Sequence, residues 1–221
     1  MASPVSANKR ARGQGRTRNF PRLLAGRLCL DLANTIEGPI SEDPEDFLHD
    51  YAGLARWSWH ARAIDDSGLR SLNDLAKANP ERAAAAFEQA LRLREAVDGL
   101  FRAVAHGHEP AAEDLGTVQQ GYVEALEAAS LVHDVEQFDW SWRGVDDLRL
   151  PIWLAAASAV ELLTEGDLAR VKQCRGPADD CGWLFYDTSR SGTRRWCSME
   201  GCGSRMKMRR HYARHKKHAL E

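Results

Sequence analysis

Cys174-Arg-Gly-Pro-Ala-Asp-Asp-Cys181-Gly-Trp-Leu-Phe-Tyr-Asp-Thr-Ser-Arg-Ser-Gly-Thr-Arg-Arg-Trp-Cys197-Ser-Met-Glu-Gly-Cys202-Gly-Ser-Arg205 holds four of the five cysteines in the 221-residue chain. The spacing is C-x6-C-x15-C-x4-C. Two pairs with a medium gap suit a tetrahedral metal site, in which each pair makes one knuckle and the intervening chain folds back. Zn²⁺ with four thiolates, from Cys174, Cys181, Cys197 and Cys202, is the expected occupant. The second pair is at the upper limit of ordinary knuckle spacing and the first is beyond it. Disulfides would need an oxidising compartment that nothing in the chain marks. The spacing also fits none of the common iron–sulfur runs. A second ligand set remains open: Cys197, Cys202, His211 and His215 read C-x4-C-x8-H-x3-H. Its middle is shorter than the twelve or so residues of a two-Cys two-His finger, and it would orphan Cys174 and Cys181.

After Cys202 the sequence turns helical. Ser204 is placed to cap a helix, and no Gly or Pro follows it. Met208 and Tyr212, four apart, form a narrow apolar stripe expected to pack inward on the knuckle. The rest is basic: Arg205, Lys207, Arg209, Arg210, Arg214, Lys216 and Lys217, with Arg190, Arg194 and Arg195 just upstream. Between Arg190 and Lys217 Glu200 is the single acid. A single-signed, arginine-rich run on a metal-anchored unit points to double-stranded DNA, because guanidinium forks match phosphates and guanine edges. Arg205, in the first turn, is the candidate base reader, and the other cations are candidate phosphate contacts.

The blocks Trp183-Leu-Phe-Tyr-Asp-Thr-Ser189, Arg194-Arg-Trp-Cys-Ser-Met199 and Cys202-Gly-Ser-Arg-Met-Lys207 resemble the bacterial CGNR zinc finger. That resemblance implies a DNA-binding domain at the C-terminus of stress-induced transcription regulators. Ser204 stands where the family's name-giving motif has Asn, which puts any base contact by that Asn in doubt. The run Leu28-Cys-Leu-Asp-Leu-Ala-Asn-Thr35 is similar to the N-terminal domain that accompanies these fingers, with Leu32 in place of an aromatic residue. Leu91–Ala96 and 148–163 extend the likeness.

The net charge is −2, and with so basic a C-terminal end the preceding region must be acidic. Such asymmetry suggests that one end meets nucleic acid. The longest apolar stretch, Leu150–Val160, is too short to span a bilayer, and the basic N-terminus is followed by no apolar core of a signal peptide. A cytoplasmic protein is expected.

The fold class expected is α+β, mostly α. Residues 1–18 read as a disordered basic tail carrying Lys9, Arg10, Arg12, Arg16 and Arg18. Residues 19–170 read as an α-rich regulatory or ligand-sensing domain able to fold alone, with homodimerisation as another role, and residues 171–221 as the finger. Leu23–Ile36 begins as a strand-like apolar run broken by Gly26. Asp31 and Asn34 within it read first as internal hydrogen-bond anchors and otherwise as a small-molecule effector site. Helices are expected over 46–63, 67–78, 80–106, 110–129 and 146–164. Pro80 opens and Gly107 closes the longest, whose buried side would be Phe87, Leu91, Ala96, Leu100 and Val104. Around 135–143, Phe138, Trp140 and Trp142 alternate with polar residues as in a half-exposed strand, the indoles being expected in the core. There are no internal repeats and no catalytic signatures: no Gly-rich phosphate loop, no His-Glu-x-x-His, no Gly-x-Ser-x-Gly. An enzyme is not expected. The alternative to DNA binding is a redox-responsive zinc-thiolate module, since thiolates can be oxidised with loss of metal.

Overall fold

The structure, a computed structural model, describes residues 20–37, 45–134, 137–176 and 181–218, with the side chains at 134, 137, 210 and 213–218 outside the description. The tail expected over residues 1–18 lies outside the described residues. In chain order the elements are α1 (Leu28–Ala33), β1 (Ile36–Glu37), β2 (Glu45–Asp46), α2 (Tyr51–His60), α3 (Asp66–Ala78), α4 (Pro80–His106), α5 (Ala112–Ala128), β3 (Ser130–Asp134), β4 (Gln137–Ser141), α6 (Leu150–Glu165), β5 (Val171–Gln173), β6 (Leu184–Tyr186) and α7 (Ser204–His218). The chain is α+β and mostly α; among the described residues the strands form three separate antiparallel pairs, β1–β2, β3–β4 and β5–β6. Among the described residues no helix is long and apolar enough to cross a membrane.

The 27-residue α4 is the spine. Pro80 sits in its first turn, where a missing N–H costs nothing. Gly107 ends it at φ 71°. There the N–H groups of Gly107 and His108 reach back to the carbonyls of Val104 and Ala103 at 3.1 and 2.8 Å, the paired closure that a left-handed residue permits. Of the residues expected on the buried face, Ala96 and Leu100 are buried, while Phe87, Leu91 and Val104 lie only half-buried at its margin; Ala83, Ala86, Ala90, Leu93, Val97 and Phe101 complete the core side. Small residues let neighbouring helices come close. On α5, a Cβ on Gly121 would lie 3.1 Å from the Ala156 methyl of α6.

The apolar run expected to begin as a strand is instead α1, held between α4 and α6. An element covered on all sides reads as continuous apolar sequence whether helix or strand, so periodicity could not separate the two. Gly26, at φ 77°, turns the chain just before it.

Arg94 of α4 is 4% exposed. It forks onto Asp46 with two bonds of 2.7 Å and reaches Thr35 Oγ1 at 3.2 Å. This ion pair ties β2 to the spine, and because Arg94 is buried, removing Asp46, which would leave that charge unpaired, is the costly change.

The helical core does not stop at residue 170. Val171 and Leu184, from β5 and β6, belong to the same apolar cluster as Trp57, Phe101, Ile152 and Leu162. The hairpin β3–β4 stands at the other extreme. Trp142 packs at its base and donates from Nε1 to the Ala125 carbonyl at 2.7 Å. Trp140, expected in the core, is 42% exposed, because the two strands extend past the helices that would cover them.

Candidate metal centre and basic helix

The strand pair β5–β6 sets the metal knuckle on the helical body. The register is Val171↔Tyr186, Lys172↔Phe185 and Gln173↔Leu184, so the chain leaves β5 directly at Cys174. The Cys174 N–H bonds the Trp183 carbonyl at 2.8 Å and the Arg175 N–H bonds the Arg195 carbonyl at 3.0 Å. The first bond brings the segment that follows Cys181, and the second the segment that leads to Cys197, alongside Cys174.

The four sulfur atoms of Cys174, Cys181, Cys197 and Cys202 all lie within 4.8 Å of one another. Cys181 to Cys197 and Cys197 to Cys202 are each 3.8 Å. A tetrahedron with Zn–S bonds of about 2.3 Å has sulfur–sulfur edges of about 3.8 Å, so the donor set already has the dimensions of the ion's ligand shell. Its electrostatics point the same way. Hydrogen bonds from the Cys181 and Cys197 thiols hold the Cys174 thiol well below its usual range, and facing that thiolate pushes Cys181 and Cys197 up. His211 is exposed on α7 and the His215 side chain lies outside the described residues, so the four thiols, not the histidine set, form the cluster.

Around the sulfurs lies a small second core. Phe185 is fully buried beneath them, with Leu24, Trp183 and Trp196 packed alongside. The Cys197 N–H points at Cys174 Sγ at 3.3 Å, and Arg205 Nη2 approaches Cys202 Sγ at 3.8 Å. Both place positive character against sulfur, as a thiolate site requires.

The loop between β6 and Cys197 is organised by a residue that sequence reasoning did not single out. Asp187 has no exposed surface. Its Oδ1 accepts from the Ser189 N–H and hydroxyl at 3.0 and 2.6 Å, and its Oδ2 from Lys172 Nζ and the Arg194 N–H, both at 2.8 Å. Burial alone would push its carboxyl up, but these four donors outweigh it and hold the group well below the usual carboxylate range. Lys172 also donates to the Gly192 carbonyl, and Arg170 to the carbonyls of Asp187 and Ser189 at 2.9 and 2.8 Å. The only sequence signal was Asp187-Thr-Ser189, a pattern in which an Asp bonds backbone two residues on.

The knuckle is also fastened to the helices. Asn34 Nδ2 donates to the Leu184 carbonyl at 2.8 Å, and its Oδ1 accepts the Leu184 N–H at 2.9 Å. Trp183 Nε1 donates to the Ile36 carbonyl at 2.8 Å, and Arg102 Nη1 to that of Gly182 at 3.0 Å. Asp31 accepts the Ala25 N–H at 3.0 Å, and the next bond, Tyr186 N–H to the Ala25 carbonyl at 2.7 Å, reaches β6. Asn34 thus spends both its polar atoms inside the protein, and Asp31 at least one oxygen.

Beyond Cys202 the geometry corrects two expectations. Ser204 does not cap the helix: it already has helical torsions, and its hydroxyl donates to the Met199 carbonyl at 3.0 Å. The helical path starts five residues earlier with a wide π-type turn, Met199–Gly203, capped by Ser198, whose Oγ accepts the Gly201 N–H at 3.1 Å. Nor do Met208 and Tyr212 pack inward; they are 57% and 66% exposed. Phe185, Trp183 and Trp196 have already filled the space beside the sulfurs.

Among the candidate DNA-contacting cations, Arg190, Arg195, Arg205, Lys207 and Arg209 are exposed. Arg194 is engaged internally, donating to the Cys197 carbonyl at 2.6 Å and lying 4.9 Å from the Phe185 ring centre. The side chains of Arg210, Arg214, Lys216 and Lys217 lie outside the described residues. Beside the knuckle, an open groove of about 550 Å³ runs between the end of α4 and the loop before Cys197, with Arg175, Thr193 and Arg195 along it.

Comparison with known families agrees with this geometry. Residues 26–166 match the ABATE model, described as "Putative stress-induced transcription regulator". Residues 170–215 match the CGNR zinc finger model. No curated protein matches the chain. The four buried thiols are thus a zinc site in dimensions, in donor type and in family, and when bound the ion supplies a crosslink between the two cysteine pairs.

Proposed function

The chain belongs to the ABATE family, and on that footing we propose that it is a transcription regulator that holds duplex DNA against the zinc-anchored helix α7. One observation carries the reading. The helix leaves the metal cluster directly after Cys202, and its described cations Arg205, Lys207 and Arg209 all face solvent. The nearby acid, Glu200, is paired with Arg22 at 3.3 Å. An α-helix fits the major groove, and a helix fixed at its first turn presents its cations in a set direction.

In this reading Lys207 and Arg209 contact phosphates, joined by Arg190 and Arg195 from the preceding loop and, by sequence position, by Arg210, Arg214, Lys216 and Lys217. Arg205, leaning on Cys202, is held where it can serve both the metal cluster and a base edge. Arg194 is left out because its guanidinium is spent within the finger. For Asp31 and Asn34 the internal hydrogen bonds to Ala25 and Leu184 support the anchoring role over that of an effector site. The role is binding and not catalysis: four thiolates fill the zinc tetrahedron and leave no open position for substrate. A redox-sensing module is the weaker alternative, because the four cysteines are only 3–5% exposed and thiol oxidation follows exposure.

Fluorescence anisotropy of zinc-loaded protein with labelled duplex DNA, titrated across salt, tests the reading. Neutralising about five phosphates gives a log–log salt slope near −4.5. Replacing Lys207 and Arg209 together by alanine should flatten the slope by about two units. A chain that gives no anisotropy change, or a variant that matches the parent in affinity and slope, overturns it. Zinc release by mild peroxide in a protein that ignores DNA would favour the redox alternative.

A further inference from the structure

On α7, Met208 and Tyr212 stand one turn apart and are exposed. Scattered exposed apolar residues need no explanation. These two adjoin, and charge rims them. Successive residues of a helix are turned by about 100°. Lys207 and Arg209 therefore lie about 100° to either side of Met208, and Arg205 and Tyr212 within about 60° of it. All five of these side chains are exposed. Met206, about 160° round from Met208, is half-buried. The Met206 side is thus the inner side of the helix. The outward line runs Arg205, Met208, Tyr212, with a cation on each flank. No acid occurs between Ser204 and His218.

That rim decides what the line meets. With α7 read as the DNA-binding helix, on which this inference rests, the outward line faces the floor of the major groove. The flanking cations then face its two walls, one phosphate strand each. The floor offers hydrogen-bonding base edges and one apolar group, the thymine C5-methyl. A base edge covered by Met208 would lose water and gain no partner, which costs free energy. A thymine methyl there loses nothing. We propose that Met208 and Tyr212 read thymine methyl groups on the floor of the groove, while Lys207 and Arg209 hold phosphates to either side.

The side chains suit the task. Methionine is unbranched and polarisable and shapes itself to a small apolar knob. Tyrosine offers an apolar ring body with a polar tip for a neighbouring edge. The two residues are about 6 Å apart along the helix, close to two base-pair steps of about 3.4 Å, so they meet different base pairs. Duplex RNA is a poor fit on two counts: uracil lacks the methyl, and the A-form major groove is too deep and narrow for side chains to read.

Replacing thymidine by deoxyuridine removes the methyl and leaves the pairing edges intact. Duplexes enriched by the full zinc-loaded chain from a random-sequence pool are resynthesised with deoxyuridine at one thymidine at a time, and binding is followed by fluorescence anisotropy. At one or two positions the substitution should weaken binding about fourfold, the value of one buried methyl-sized group. Met208→Ala should weaken binding to the parent duplex and abolish the deoxyuridine penalty at one position, and Tyr212→Ala at another. Zinc content, melting and salt slope should stay as in the parent. A folding defect would weaken thymidine and deoxyuridine duplexes alike, so loss of the penalty cannot come from one. If no position shows a penalty, or the penalty survives both variants, the proposal is overturned while the DNA reading stands. A chain that binds no duplex at any salt overturns both. Variants that bind DNA as the parent does but lose self-association in sedimentation would give the line to a protein partner instead.

Discussion

Asn34 grips Leu184 by both backbone groups, donating to its carbonyl at 2.8 Å and accepting its N–H at 2.9 Å. The side-chain amide thereby acts as one more strand residue beside β6, and it joins the first helix to the metal-bearing end of the chain. Asn34→Ala would leave a buried N–H and a buried C=O without partners, at a cost of roughly 2–4 kcal/mol. Thermal unfolding should show the loss as a single shifted transition, because Leu184 and the helices share one core. An unchanged melting temperature would mean the clasp is dispensable. The same shared core bears on the expectation that residues 19–170 fold alone: a chain ending at Arg170 lacks Val171 and Leu184 and should melt earlier and more broadly than the full chain.

Zinc removal should be visible through tryptophan. Trp183 and Trp196 pack on the sulfur cluster, so chelation, or Cys197→Ser, should red-shift their emission and open the C-terminal segment to protease. Structural zinc affinity is folding energy. Full zinc retention in the Cys197→Ser protein would point to a different ligand set.

Asp187→Asn keeps the shape and removes the charge that Lys172 faces at 2.8 Å. Leaving one partner of a buried pair alone costs about 3–5 kcal/mol, here concentrated in the loop that delivers Cys197. The expected readout is a sharp drop in zinc affinity, followed by competition with a chromogenic chelator. Because the folded carboxyl lies below its unfolded value, its contribution is present above about pH 4 and is lost as pH falls through the folded pKa. Acid should therefore release zinc from the parent at lower pH than from the variant.

Asp31 has the opposite sign. Burial, only partly offset by the Ala25 and Leu24 N–H groups, pushes its carboxyl up to about 7. An unfolded chain gives up that proton near pH 4, so folding takes up a proton between the two values. Stability from this group falls as pH rises from about 4 to about 7, and it is level above. Asp31→Asn keeps an oxygen for the Ala25 N–H and removes the titration. The variant should match the parent near pH 4 and exceed it at pH 8 by on the order of 4 kcal/mol, about three pKa units at about 1.4 kcal/mol each. A stability difference that does not change with pH would place the proton elsewhere.

What could be read from the sequence was what local rules govern. The α4 boundaries follow from Pro80 and Gly107, and the zinc site from cysteine spacing, because both depend on residues near one another. The misread elements depend on distant ones. The run at Leu28 is a helix because α4 and α6 enclose it. Met208 and Tyr212 face outward because Trp183, Phe185 and Trp196 fill the inner space first. Ser204 resembles a cap by type, yet the helical path had already begun at Met199 under Ser198. The buried roles of Arg94 and Asp187 rest on partners the linear pattern does not mark: Thr35 and Asp46 for one, Lys172 and Arg194 for the other.

Asn34 and Leu184 stand 150 positions apart. At a translation rate of roughly 5–20 residues per second, the second is made some 8–30 s after the first. Throughout that interval the nascent helices lack the strand that completes them, and the seat of Leu184 is open to water. The helix that Asn34 follows is therefore finished by a strand made 150 positions later, and the newborn chain depends in that gap on whatever shelters apolar surface in its cell.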